Sequence, residues 1–153
     1  MTVRLSSRWQ DYLAGIARAA ARGSKDASTK VGAVIYRPDR STASTGFNGL
    51  PSGIRDDAFK MLVRSWKYPR MVHAEANAID KAKEPLDGYG IVVTAHPCSK
   101  CALRIINKGI KYVYYIPGLE DEERWRDDME LARQLFKEAN VELYVLDVNA
   151  GLI

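Results

Sequence analysis

The sequence predicts a three-layer α/β domain, with a mixed sheet of about five strands and helices on both faces. Two observations carry that prediction. From residue 73 onward, helix-period segments alternate with short strand-like runs, the order that βα crossover units require. Before that point, two strand-like runs flank a tight turn and read as a hairpin, whose strands must be antiparallel. The 153 residues fit one domain, taken as 1–153, and 46% apolar against 27% charged residues is enough to build a core.

Each element has its own justification. Residues 6–22 place Trp9, Tyr12, Leu13, Ile16, Ala17 and Ala20 at helical spacing, and Ser6 or Ser7 can cap the start. Of these, Trp9, Tyr12 and Ile16 read as core. Residues 31–36 are a β-branched run that turns at Pro38-Asp39, and residues 41–47 return. Asn48 to Gly53 contains two glycines and a proline, the marks of a shaped loop. Residues 56–66 read as a short helix ending before Tyr68-Pro69, since the residue before a proline is pushed out of the helical region. Helices are then expected over 73–83, 99–108 and 121–139, with strands over 90–95, 111–116 and 141–146. The charged run 120–130 reads as a solvated helix face or a subunit contact.

Composition narrows the function classes. The longest apolar runs are strand-sized, well short of the ~20 residues of a membrane span. The first eight residues lack the apolar stretch of a signal peptide, so the chain reads as cytoplasmic with no membrane partner. A net charge of +4 admits an anionic substrate or a polynucleotide without demanding either. Basic residues are not interleaved with aromatics, and the most charged stretch is mainly acidic, so a nucleic-acid partner is disfavoured.

The two cysteines, Cys98 and Cys101, are the pointed feature. So close a pair in a chain of this kind is a poor structural staple, and metal or redox chemistry is the better reading. They stand at i and i+3 after Pro97, at an expected helix start, so both sulfurs lie on one face of the first turn. The positive end of the helix favours thiolates, which zinc needs. His73 can supply a third ligand, and with no further cysteine the fourth position falls to water, the pattern of catalytic rather than structural zinc. His96 is a rival ligand. Its place two residues before Cys98, with a proline between, makes joint ligation awkward and favours a pocket-lining role. Glu75 shares the start of a helix with His73, from which both side chains can reach one site, and is the candidate general acid and base.

His73-Ala-Glu75 followed by Pro97-Cys-Ser-Lys-Cys101 is the signature of zinc-dependent nucleobase deaminases. The chain as a whole resembles the cytidine and deoxycytidylate deaminase superfamily, and within it the deoxycytidylate (dCMP) deaminases. The resemblance is carried by Ser24-Lys-Asp-Ala-Ser-Thr-Lys-Val-Gly-Ala33, by Gly46-Phe-Asn-Gly-Leu-Pro-Ser-Gly53 with Asp56-Asp57, by Tyr68-Pro69, and by the two motifs above. It implies hydrolysis of dCMP to dUMP and ammonia, feeding thymidylate synthesis. It implies catalytic Zn2+ on His73, Cys98 and Cys101, with Glu75 as catalytic residue. It also implies a hexamer activated by dCTP and inhibited by dTTP with Mg2+, and it gives Asn48, Gly49, Gly53, Asp56 and Asp57 as effector contacts. Asn48, Ala74, Ser24, Lys25, Lys30 and His96 are the expected substrate contacts, with the basic cluster after the first helix placed to meet a phosphate. Deamination of dCTP as well as dCMP stays open. The chain departs from the resemblance over 117–125, where relatives carry a tyrosine and this segment is acidic without one.

Overall fold

The computed structural model describes residues 4–118 and 122–146. Helix α1 spans Ser7–Ala21 and is capped by Ser6, whose hydroxyl accepts from the Trp9 N–H. Strands β1 (Gly32–Tyr36) and β2 (Thr42–Phe47) form the expected antiparallel hairpin. The turn between them is closed by Asp39, whose carboxylate accepts from both the backbone N–H and the hydroxyl of Ser41. Then follow the single turn α2 (Arg64–Lys67), α3 (Ala74–Lys81), β3 (Gly90–Val93), α4 (Ser99–Asn107), β4 (Tyr112–Tyr115), α5 (Glu123–Glu138) and β5 (Glu142–Val145).

The five strands lie in the order β2-β1-β3-β4-β5. β1 is antiparallel to both β2 and β3, whereas β3, β4 and β5 run parallel to one another. Helices cover both faces, so the three-layer mixed α/β architecture holds. Alternation along the central strands divides the core in two. Val34, Tyr36, Val92 and Tyr114 pack against Leu13, Ala14 and Ala17 of α1. Ala33, Ile35, Ile91, Val93 and Val113 face the other way, against α3, α4 and α5.

Two expectations are corrected. Residues 56–66 do not form one helix: a 3-10 turn at Lys60–Leu62 is separated from α2 by Val63, whose extended backbone interrupts the run. Asp57 caps the 3-10 turn by accepting from the Phe59 and Lys60 N–H groups. Tyr12 is 55% exposed and is not core; it meets the ring of Trp9 edge-on, while Leu13 and Ala17 take the buried face of α1. No helix of the described residues is long and apolar enough to cross a membrane.

What matters for a site is how close α3 lies to the sheet. A side chain at Gly46 would put its Cβ 2.4 Å from the Ala78 nitrogen and 2.5 Å from the Ala74 carbonyl oxygen. α3 therefore rests on the bare backbone of β2. Two polar ties hold it there: Ser44 donates to the Ala78 carbonyl at 2.7 Å, and the Asn77 amide donates to the Phe47 carbonyl at 2.8 Å. Gly46→Ala is expected to lower unfolding stability in urea by about 1–3 kcal/mol through overpacking. An unchanged midpoint would show that α3 does not depend on this contact.

Candidate metal centre and cavity

Three ligand atoms converge where α3 and α4 begin. His73 is the residue just before α3, in extended conformation with its carbonyl accepting the Asn77 N–H, so its side chain is free to turn away from the helix. It is fixed from behind by the residue before it, because Val72 and Gly49 exchange two backbone hydrogen bonds at 2.8 and 3.0 Å. Cys98 is the corresponding residue of α4, and its sulfur accepts the Cys101 N–H at 3.5 Å. His73 Nδ1 lies 3.5 Å from Cys98 Sγ and 3.4 Å from Cys101 Sγ, and all three ligand atoms fall within 4.8 Å of one another.

The donor set and spacing suit zinc. With Zn–S near 2.3 Å and Zn–N near 2.0–2.1 Å, a tetrahedral ion holds its nitrogen and sulfur ligands about 3.6 Å apart. Among the described residues these are the only three His, Cys, Asp or Glu side chains grouped in this way. The two thiols are not alike. Cys98 is held down at about 4 by hydrogen bonds from the Cys101 thiol and from His73, whereas Cys101 is pushed up by its bond to Cys98 and by burial. His73 is raised to about 9, chiefly by its bond to Cys98.

Glu75, the second residue of α3, is 4% exposed and opens onto the same cavity as His73 and Cys98. Burial pushes its carboxyl up to about 7 against the opposing charge of His73. A carboxyl near neutrality is suited to move protons in either direction.

The cavity has a volume of about 370 Å3. Of the expected substrate contacts, Asn48, Ala74 and His96 line it; Ser24, Lys25 and Lys30 do not. Ser24 is buried and accepts the Asp26 N–H, Lys25 pairs with Asp56 at 2.5 Å, and Lys30 donates to the Ser24 carbonyl. Asn48 already uses its amide in both directions, accepting from the Val31 N–H and donating to the Thr29 carbonyl, and still has one N–H and a lone pair to offer. Gly49, Gly53, Asp56 and Asp57 lie outside the lining; Gly53 occupies a positive φ of 95° on the surface.

Several lining residues escaped the sequence reading. Arg124, Trp125, Asp128 and Met129 of α5 face the cavity, so the run 120–130 is not wholly solvated. Apolar residues at 125, 129, 132 and 136 mark that inward stripe, and the surrounding charges hide it. Residues 120 and 121 of that run lie outside the described residues. Lys67 also lines the cavity, through an ion pair with Asp26 in which both side chains are below one-tenth exposed. Its ammonium meets Asp26 at 3.0 Å and the Ser28 hydroxyl at 3.2 Å. Burial alone would raise the Asp26 carboxyl, but the Ser28 N–H, the Lys67 ammonium and the Thr29 N–H outweigh it and hold it below its ordinary 3.8. Nothing about one lysine at the end of a single helical turn announces this.

Comparison with known proteins comes to the same region. The model of the cytidine and deoxycytidylate deaminase zinc-binding region matches residues 7–117. An uncharacterised deaminase of Aliivibrio fischeri is 41% identical over 138 residues, covering 90% of this chain and 92% of its own. The deoxycytidylate deaminase of Mus musculus is 35% identical over 139 residues, covering 87% of this chain and 76% of its own. Among solved structures, dCMP deaminase from the cyanophage S-TIM5 in complex with dCMP and dUMP superposes with a TM-score of 0.66. It is 27% identical, and the match covers 95% of this chain and 98% of the other.

Two measurements test this description. Elemental analysis of the purified protein is expected to find about one zinc per chain, lost when His73, Cys98 or Cys101 is changed to alanine; retention in any of the three would remove that residue from the ligand set. Lys67→Met leaves Asp26 buried without its cation and is expected to cost about 3–5 kcal/mol near neutral pH. Because folding depresses Asp26, its contribution is intact above about pH 4 and is lost as the pH falls through its folded value. The gap between parent and variant in urea titrations should therefore narrow in acid; a constant gap would contradict the pairing.

Proposed function

This chain belongs to the cytidine and deoxycytidylate deaminase family, and we propose that its substrate within that family is dCMP, hydrolysed to dUMP and ammonia for thymidylate synthesis. The observation that carries the reading is the three-donor His73–Cys98–Cys101 cluster beside buried Glu75, which opens onto the same cavity as His73 and Cys98. Three protein donors leave room for a water, which a structural site with four would not. The mouse relative's name and the cyanophage ligands favour dCMP over free bases.

His73, Cys98 and Cys101 would hold the metal, and two thiolates would offset its charge. Zinc, when bound, acidifies a coordinated water and so supplies a nucleophile at neutral pH. Glu75 performs the proton traffic: its carboxylate takes one proton from the attacking water and passes it to the pyrimidine ring nitrogen, then takes the proton of the new C4 hydroxyl and passes it to the departing 4-amino group. Water adds at C4, the C4–N4 bond breaks, and dCMP and water become dUMP and ammonia. Ala74 and His96 shape the wall beside Glu75, and Asn48 retains hydrogen-bonding capacity for a sugar hydroxyl or a base edge. For the phosphate, Lys67, Lys100 and Arg124 stand in the lining, whereas Ser24, Lys25 and Lys30 would have to act from beyond it.

The same reading extends to regulation by dCTP and by dTTP with Mg2+, in a homohexamer, through the loop bearing Asn48, Gly49, Gly53, Asp56 and Asp57. Exposed Phe59 and Leu62, at 82% and 70%, support contact between copies close to that loop.

Steady-state ammonia release from dCMP, dCTP, deoxycytidine and cytidine, each with and without dCTP-Mg2+ or dTTP-Mg2+, tests these assignments together. dCMP is expected to be turned over fastest, with Glu75→Gln keeping its zinc while losing about 10²–10⁴-fold in kcat. Zinc-replete protein inert toward dCMP, or full activity in Glu75→Gln, would defeat the reading. Equal turnover of dCTP would make the enzyme bifunctional.

A further inference from the structure

Helix α5 grips the chain on both sides of Cys98. On one side, Asp128 accepts from Ser99 twice: Oδ2 from its backbone N–H at 2.9 Å and Oδ1 from its hydroxyl at 2.6 Å. The Ser99 N–H is one of the donors that the start of α4 leaves without a partner inside the helix, and Asp128 takes it. The Cys101 N–H is then left for Cys98 Sγ.

On the other side, the guanidinium of Arg133 meets His96 Nε2 at 3.3 Å. Arginine can only donate, so Nε2 accepts and the ring proton sits on Nδ1, which donates to the Pro97 carbonyl at 2.8 Å. Arg133 is itself aimed by Glu130, which accepts from its Nε at 3.0 Å. The His96 ring is 2% exposed and lies edge-on to Tyr115 with centroids 4.5 Å apart, so packing fixes it as well. Cys98 thus sits between two anchored neighbours, while Cys101 is placed by the helix itself.

We propose that Asp128 and Arg133 are positioning residues of the metal centre, holding the Cys98 thiolate at the distance from His73 and Cys101 that zinc requires. The inference rests on zinc binding by those three residues, not on the identity of the substrate. Partners beyond the ligands commonly govern metal affinity, and their loss typically costs 10–100-fold. Here both partners come from one helix, so the metal centre depends on α5 although α5 supplies no ligand.

The test is the rate at which the zinc-loaded protein gives up its metal to the chromogenic chelator 4-(2-pyridylazo)resorcinol, compared for the parent, Asp128→Ala, Arg133→Met and Ser99→Ala. Zinc release is expected to be roughly 10–100-fold faster in Asp128→Ala and Arg133→Met, and intermediate in Ser99→Ala, which removes only the hydroxyl half of one contact. Arg104→Gln serves as the control, since it cuts the exposed ion pair from α4 to Asp80 without touching the segment around Cys98, and its release rate should match the parent's. In cobalt-substituted protein, the thiolate-to-cobalt charge-transfer band should shift for Asp128→Ala and Arg133→Met and stay put for Arg104→Gln. Release rates within twofold of the parent, equal acceleration in Arg104→Gln, or superimposable cobalt spectra would each overturn the proposal. Parent protein that binds no zinc would overturn the metal reading beneath it, a result distinct from failure on dCMP.

Discussion

The proposed chemistry depends on two helix starts meeting at one point. Donor atoms at the starts of α3 and α4 can approach to 3.4–3.5 Å only if both helices are seated firmly and enter from the right direction. The sheet enforces this by placing β1 between β2 and β3, so that α3, lying on the hairpin, and α4, following β3, share one face. Gly46 removes the last obstacle by letting α3 lie against bare backbone. His73 and Cys98 then occupy equivalent positions, each just outside its helix, where side chains are not committed to the helical surface.

That placement also sets the electrostatics. The positive end of α4 and the Cys101 and His73 hydrogen bonds make Cys98 the ready thiolate, while Cys101 keeps its proton more tightly. Capture of a dication by such a cluster displaces protons from sulfur, so metal binding and proton release are linked. Burial acts on Glu75 in the opposite sense from the helix on Cys98, drawing its carboxyl toward neutrality. Cys98 and Glu75, which line one cavity, are thereby driven apart in acidity, as the proposed roles of metal ligand and proton carrier require.

Much of this was legible in the sequence, because it rests on local rules. Strand alternation, helix periodicity and the turn at Pro38-Asp39 act over a few residues, and the hairpin, the three later helices and the parallel strands follow from them. The cysteine pair after Pro97 and the His73-Ala-Glu75 string are equally local. What escaped was set by tertiary contact. Val63 interrupts the expected helix over 56–66 for reasons that periodicity does not register. Lys67 finds Asp26 across 41 positions of sequence, and Asp128 finds Ser99 across 29, so neither pairing leaves a trace in spacing. Lys25 and Lys30 illustrate the converse: adjacency to the first helix suggested a phosphate contact, yet folding gives them partners elsewhere.

The central claim is an open zinc site with three protein donors, built where α3 and α4 begin. X-ray absorption at the zinc edge on the purified protein tests it most directly. Two sulfur neighbours near 2.3 Å and two nitrogen or oxygen neighbours near 2.0–2.1 Å are the result this arrangement demands. A first shell with a single sulfur, with more than two sulfurs, or with no zinc signal at all would contradict it.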